Sequence, residues 1–142
     1  MPIKCEIVSQ DRMVYSGNVD MVVLPGDDGV MGILPNHSPV LTTLAFGIIT
    51  VVTSTERNYF TVAGGVAEVQ PDQVTILADA AENVEEIDEV RAEKAKSLAE
   101  KHLKEADTGI FDDEDAARAA LRRSTLRLDA IHRFRKSQKY RR

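Results

Sequence analysis

The sequence has no tryptophan, one cysteine and only 5% aromatic residues. A hydrophobic core must therefore be built mainly from Val, Ile, Leu and Ala, and the 43% hydrophobic content of the 142 residues is sufficient for one. A single cysteine excludes an internal disulfide, and the alternating run Ile3, Cys5, Ile7 predicts that Cys5 is a small buried apolar side chain. No apolar run approaches the roughly 18 residues that a membrane span needs.

The chain also lacks the motifs that carry catalysis or bind metals. His37, His102 and His132 fall in a predicted turn and on two different predicted helices, without metal-ligand spacing. No nucleophile motif, phosphate loop or dinucleotide fingerprint is present. Residues 26–29 lack the spacing of a calcium loop and indicate a turn. We therefore expect a protein that is not an enzyme and needs no metal or cofactor.

Charge is segregated along the chain. Residues 118–142 hold ten basic residues and one acid, whereas 1–117 hold eight basic and 22 acidic residues. The tail is therefore near +9 and the rest near −14, which favours an acidic partner for the tail or self-association with the acidic part. Nucleic acid is not expected as a partner, because the tail offers only Phe134 and Tyr140 for stacking. The N-terminus lacks the layout of a signal or transit peptide, so membrane association is expected only through a partner.

Residues 3–78 carry the signal of β-strands. Short segments rich in Val, Ile and Thr are separated by turn residues about every 8–12 positions, which predicts a β-sandwich or barrel. Residues 22–24 and 48–52 are apolar almost throughout, so an outer face is expected to be covered by the helices or by a partner. The predicted strands lie near 3–9, 13–16, 18–24, 30–34, 40–44, 46–53, 58–63, 65–70 and 73–78.

From Ile87 onward charged residues and alanine dominate, after a hinge-like bridge at 78–83. Asp88 is the expected N-cap of a helix over about 88–105, Gly109 the residue that ends it, and a second helix begins near Asp112 or Asp113. The two helices predict an antiparallel hairpin with a thin core that is only marginally stable when undocked. The first helix is expected to present Ile87, Val90, Leu98, Ala99 and Ala106 on one face. The second is expected to present a seam of Ala117, Leu121, Ser124, Leu128 and Ile131.

The most distinctive segment runs from Gly32 to Pro39, with the sequence Gly-Ile-Leu-Pro-Asn-His-Ser-Pro. Its prolines stiffen a turn in which His37 is expected to bond the backbone. The functional interpretation is a rigid docking loop. Its members would be Gly32, Leu34, Pro35, His37 and Pro39.

This segment resembles the signature of the epsilon subunit of bacterial F-type ATP synthases, which is homologous to the mitochondrial delta subunit. Residues 64–69, 72–77 and 87–92 resemble the family as well, in the same order and over essentially the whole chain. The resemblance implies a β-sandwich of about ten strands over residues 1–84. It also implies a regulatory two-helix hairpin with a basic tail over residues 85–142.

The resemblance implies a non-catalytic rotor subunit that helps to couple proton-driven rotation to ATP synthesis. The sandwich would bind the gamma subunit and the c-ring at the cytoplasmic face of a bacterial cell membrane, in preference to a plastid thylakoid. A folded hairpin would be permissive, and a hairpin extended into the catalytic head of alpha and beta subunits would inhibit ATP hydrolysis. The residues expected to meet an acidic segment of beta are Arg118, Arg122, Arg123, Arg127 and Arg133.

Residues 87–92, Ile-Asp-Glu-Val-Arg-Ala, also resemble the motif of family members that bind ATP as a regulatory ligand in the folded hairpin. A further basic position of that motif is not clearly matched, since only Lys96 lies near it. The ATP site that this resemblance implies consists of Glu82, Asp88, Arg91, Arg123 and Arg127. If the chain binds no ligand there, Asp88 would simply cap the helix and Arg91 would pair with Glu86 or Glu89.

The alternative function for the whole chain is a free-standing β-sandwich adaptor or nucleotide-sensing module with a basic arm.

Overall fold

The computed structural model describes residues 2–10, 12–109 and 113–139. Their β-strands precede a one-turn 3-10 helix (Val84–Glu86) and two α-helices, α1 (Glu89–Asp107) and α2 (Glu114–Lys139). The strands are β1 (Ile3–Ser9), β2 (Arg12–Val19), β3 (Met21–Gly26), β4 (Gly29–Ile33), β5 (Val40–Val52), β6 (Arg57–Val69), β7 (Gln73–Ala78) and β8 (Ala81–Asn83).

The strands form one continuous sheet that folds into two layers. Their order is β2-β1-β7-β6-β5-β3-β4, with β8 paired to β6. β5 and β6 pair with each other along their length, while β6 meets β7 through 65–69 and β8 through 60–62. Tyr15 of β2 meets Phe60 of β6 edge-on across the layers, with ring centroids 5.5 Å apart. The predicted sandwich with a helical hairpin is confirmed.

The described residues form eight strands, fewer than the ten that the resemblance implies. The predicted pairs 40–44 with 46–53 and 58–63 with 65–70 are each one long strand. The glycine pair within β6 mimics a turn signal, but the strand continues through it. Gly65 has φ +137°, and a side chain there would collide with the carbonyl oxygen of Leu77. The expected bridge at 78–83 also contains a strand, β8.

The core between the layers consists of alternating aliphatic side chains. Ile3, Cys5 and Ile7 of β1 and Ile76 of β7 are fully buried, and Phe60 is the largest of the fully buried side chains. Each such aliphatic or aromatic side chain contributes roughly 1.5–3 kcal/mol by leaving water. Cys5 is buried and free, as its alternating context predicted.

The helix boundaries follow the expected local signals. The Asp88 carboxylate accepts a hydrogen bond from the backbone N of Arg91 at 3.1 Å, and Gly109 takes φ +78° just after α1. Asp113 accepts from the backbone N of Ala116 at 3.0 Å and so caps α2. Asp112, the other residue predicted to start this helix, lies outside the described residues.

The seam between the helices is narrower than predicted. Ala92 and Ala99 of α1 face Ala117 and Ser124 of α2, and all four are at most 3% exposed. The predicted face of α1 is wrong for its largest members, since Val90 is 59% and Leu98 53% exposed. Alanine allows close approach of the helices, which leaves these longer side chains outside the seam.

The hairpin is folded against the sandwich. Ile48 and Tyr59, on the outer face of β5 and β6, form a second buried cluster with Val84, Ala130 and Ile131. The helices are therefore the predicted cover of the apolar segment 48–52. Over the described residues, neither helix is both long and apolar enough to cross a membrane.

Candidate functional site

A cleft opens where β8, the start of α1 and the middle of α2 meet. Its cavity of about 270 Å³ is lined by Glu82, Glu86, Ile87, Asp88, Arg91, Ala92 and Arg127. A neighbouring cavity of about 50 Å³ shares Glu82 and Arg127 and adds Arg123 and Leu126. We call the two together the hairpin cleft. Four of the five residues of the implied ATP site line the larger cavity, Arg123 lines only the smaller one, and Lys96 lines neither.

An ion pair between Arg127 and Glu82 spans the hairpin cleft. Nε of Arg127 donates to both carboxylate oxygens of Glu82, at 3.1 and 3.2 Å, and its terminal Nη2 also bonds the carboxylate. The side chains are 32% and 39% exposed, respectively. Arg123 lies one helical turn earlier, on the same side of α2. This pair ties α2 to the edge of the sheet at the site of the cleft.

Arg91 is exposed and lines the cleft instead of making the surface pair that a purely structural role predicts. Glu86 is 3.3 Å from Arg12 of β2, and Glu89 bonds Arg135 of α2. Among the described residues, Arg91 has no ion-pair partner. Its guanidinium therefore stays available to a ligand, while Asp88 is committed to its role as N-cap.

The arrangement suits a phosphorylated ligand. Arginine guanidinium groups bind phosphate oxygens in bidentate fashion, and Arg91, Arg123 and Arg127 reach the cleft from two helices. Glu82 already binds Arg127, so a phosphate group would have to displace the Glu82 carboxylate in order to bind this guanidinium. The larger cavity, at about 270 Å³, lies just below the volume range of ligand sites, about 300–1,000 Å³.

The arginines expected to meet the beta subunit have different surroundings in the folded hairpin. The guanidinium of Arg122 lies over the ring of Phe46, 3.9 Å from its centroid, and Arg127 is bound to Glu82. Arg118 pairs with Glu114 at 2.6 Å within its own helix. Arg123 lines the cleft and Arg133 is exposed. The sheet thus binds two of the five.

The docking loop is a separate feature, which begins at Gly32 within β4 and continues beyond that strand. Nδ1 of His37 donates to the carbonyl oxygen of Ser38 at 2.7 Å, which is the predicted backbone bond. Asn36 adopts φ +66°, and its backbone N donates to the carbonyl oxygen of Pro71 at 2.8 Å. Leu34 is 56% exposed. The loop is thus braced by the turn before β7 while it presents an apolar side chain to solvent.

Two contacts of α2 were absent from the sequence prediction. Arg122 meets Phe46 across 76 positions, and Arg135 meets Glu89 across 46. Neither pair is adjacent in sequence or at helical spacing, so local patterns carry no signal for them. The basic tail signalled only that acidic partners were needed.

Comparison with known proteins identifies both parts of the chain. Residues 2–84 match the beta-sandwich domain of the ATP synthase delta/epsilon chain, and residues 85–132 match its long alpha-helix domain. The ATP synthase epsilon chain of Herpetosiphon aurantiacus is 47% identical over 130 residues, or 90% of this chain and 93% of that one. The epsilon chain of Chloroflexus aggregans is 43% identical over 140 residues, covering 97% and 99%.

A solved structure supports the same similarity. A chain of the Euglena gracilis mitochondrial ATP synthase, determined as an OSCP/F1/c-ring assembly, superposes with a TM-score of 0.71 at 25% identity. The match covers 85% of this chain and 76% of that chain. Sequence and fold therefore agree over the sandwich and the hairpin.

Proposed function

Because the chain belongs to the delta/epsilon family of ATP synthase chains, we propose that it works in the central stalk as a rotor subunit regulated by ATP in its hairpin cleft. It is a non-catalytic subunit. The sandwich, including the docking loop, would bind gamma and the c-ring at the cytoplasmic face of the membrane. The family match over both parts speaks against a free-standing adaptor.

The observation that carries the nucleotide proposal is the convergence of five residues from separate elements. Glu82 comes from β8, Asp88 and Arg91 from the start of α1, and Arg123 and Arg127 from α2. These residues are neighbours only while the hairpin is folded on the sandwich. ATP bound there would therefore stabilise the folded state by mass action.

The hairpin would inhibit ATP hydrolysis once it leaves the sandwich. In the folded state Arg122 is bound to Phe46 and Arg127 to Glu82. Undocking would release both to an acidic segment of beta in the alpha–beta head. Arg122 and Arg127 would thus bind the sheet in the folded hairpin and the beta subunit in the undocked one. ATP would favour the folded state, which permits hydrolysis.

Calorimetric titration of the intact chain with ATP tests the nucleotide site. Arg123→Ala should weaken binding roughly tenfold or more, because a charged hydrogen bond to phosphate is worth about 1.5–3 kcal/mol. Arg118→Ala is the matched control, since Arg118 lies on the same helix outside the cleft. Absence of heat at millimolar ATP would contradict the proposal.

Deletion of the chain from residue 86 onward tests inhibition. The assembled enzyme should retain its composition, because the sandwich carries the proposed contacts to gamma and the c-ring. ATP hydrolysis by that enzyme should rise. Hydrolysis equal to that of the full-length enzyme would remove the inhibitory role.

A further inference from the structure

We propose that the last turns of α2, residues 133–139, act as a latch that keeps the hairpin folded when no nucleotide is bound. These residues, the α2 extension, follow the segment that matches the long alpha-helix domain, which ends at residue 132. Their described side chains include one polar and one apolar contact with other parts of the molecule.

The polar contact joins Arg135 to Glu89. Nη1 of Arg135 donates to one carboxylate oxygen of Glu89 at 3.0 Å, and Nη2 binds the other, so the pair is bidentate. The Glu89 side chain is 28% exposed and that of Arg135 58%. Because Glu89 is the first residue of α1, the bond fastens the end of one helix to the start of the other.

The apolar contact is made by Phe134. Its half-buried ring packs on the cluster that contains Ile48 and Tyr59 of the sandwich. The hydroxyl of Ser137 donates to the Phe134 carbonyl at 2.8 Å, within the same turn. Neighbouring residues of the extension thus bind two different surfaces, the sheet and α1.

The latch also fixes one wall of the hairpin cleft. Glu89 directly follows Asp88 and lies two positions before Arg91, so a bound Glu89 sets the position of that first helical turn. The consequence for ATP regulation rests on the proposed function. The latch itself is a property of the chain without nucleotide, and it is tested there.

Other cations of the extension serve as controls. Arg133 and Lys136 are exposed and have no ion-pair partner among the described residues. Their replacement changes the net charge of α2 as much as replacement of Arg135 does. If the positive charge of the tail acted only in a general way, replacing Arg133, Lys136 or Arg135 would therefore change the docking of the hairpin equally.

Hydrogen exchange of the backbone amides at 126–131, in the intact chain without nucleotide, measures undocking. These amides lie before the α2 extension, so fraying of the last turn leaves them unchanged. Arg135→Ala should speed their exchange about two- to fivefold, the range of a partly exposed ion pair. Phe134→Ala should speed it roughly tenfold, because a half-buried ring is lost. Arg133→Ala should leave it unchanged.

A double-mutant cycle separates the pair from effects of either residue alone. In the chain that carries both Glu89→Ala and Arg135→Ala, the amides at 126–131 should exchange no faster than in the faster of the two single variants. Equal exchange in the Arg135→Ala and Arg133→Ala chains, or simple additivity in the cycle, would overturn the latch. Failure of ATP to bind would leave these results intact, so the two proposals fail separately.

Discussion

The sandwich and the hairpin are stabilised by different kinds of side chain. Between the layers of the sandwich, Ile7, Phe60 and Ile76 are fully buried among branched and aromatic neighbours. Between the helices, the most deeply buried positions are alanines and Ser124. Apolar burial contributes about 0.8 kcal/mol per CH₂, so an alanine seam stabilises far less than an isoleucine core.

This difference supports the proposed division of the chain into a fixed sandwich and a movable hairpin. The sandwich has a core of its own, whereas α2 obtains much of its apolar burial from Ile48 and Tyr59 of the sheet. Undocking the helices therefore costs less free energy than unfolding the sheet. A rotor contact requires a domain with a stable core of its own, whereas a switch requires an element that undocks at a lower cost in free energy.

Thiol labelling gives the largest contrast between the two regions. Burial, with the nearby charge of Glu6 as a smaller cause, raises the pKa of Cys5 to about 12, so the reactive thiolate is suppressed. Labelling of the native chain should be at least about a thousandfold slower than in denaturant, as for a site exposed only by global unfolding. The rate should not change when Ile131→Ala weakens the docking of the hairpin. Faster labelling in that variant would show that the sandwich depends on the helices.

Phe60→Ala should cost the sandwich about 3–5 kcal/mol of unfolding free energy, because it leaves a cavity between the two layers. Urea denaturation measures the loss. Val90→Ala is the control, since that exposed helical side chain should change stability by no more than about 0.5 kcal/mol. A similar loss in both variants would contradict the division into two cores.

Ile131→Ala should cost about 2 kcal/mol, and only in the docking of the hairpin, because Ile131 packs on the outer face of the sheet. Hydrogen exchange should accelerate along α2, while the amides of β7 keep their protection. Uniform acceleration across both regions would show that helices and sheet open as one unit.

Much of this division was predictable from the sequence. Alternation as in Ile3, Cys5 and Ile7 predicts a strand with one buried face, and Asp88 and Gly109 mark the ends of α1. The cleft residues were assigned through motif resemblance, which already contains the long-range geometry. Local chemistry and a known motif therefore predicted most of the elements and the residues that line the hairpin cleft.

The failures have physical causes of their own. Helical spacing predicts Leu98 on the seam face of α1, but the seam contains small residues that let the helices approach, and Leu98 is 53% exposed. The predicted strands 58–63 and 65–70 are separated at the glycine pair, whereas Gly65 permits one continuous strand to pass close to its neighbour. The contact of Arg135 with Glu89 depends on the angle between two helices, which no local pattern encodes.

The smallest predicted effect is a dependence of hairpin docking on pH. Hydrogen bonding to Arg135, opposed by some desolvation and aided by the charges of Arg135 and His132, lowers the pKa of Glu89 below its ordinary 4.5. The stability that this shift contributes is complete above the ordinary pKa and is lost as the pH falls through the lowered one. Exchange of the amides at 126–131 should therefore rise a few-fold below about pH 4.5, after correction for intrinsic rates.

Glu89→Gln is the control for this titration, because an amide keeps the size of the side chain and removes its ionisation. The variant should exchange faster at neutral pH and should lose the part of the acid response that belongs to Glu89. Glu93, whose charge also acts on Arg135, stays in place in both chains. High salt should bring the exchange rate of the wild-type chain closer to that of the variant, because salt screens the charge of the exposed Arg135 guanidinium. An acid response of equal size in both chains would show that the pH dependence belongs to carboxylates other than Glu89 and would contradict the predicted effect of its ionisation on the latch.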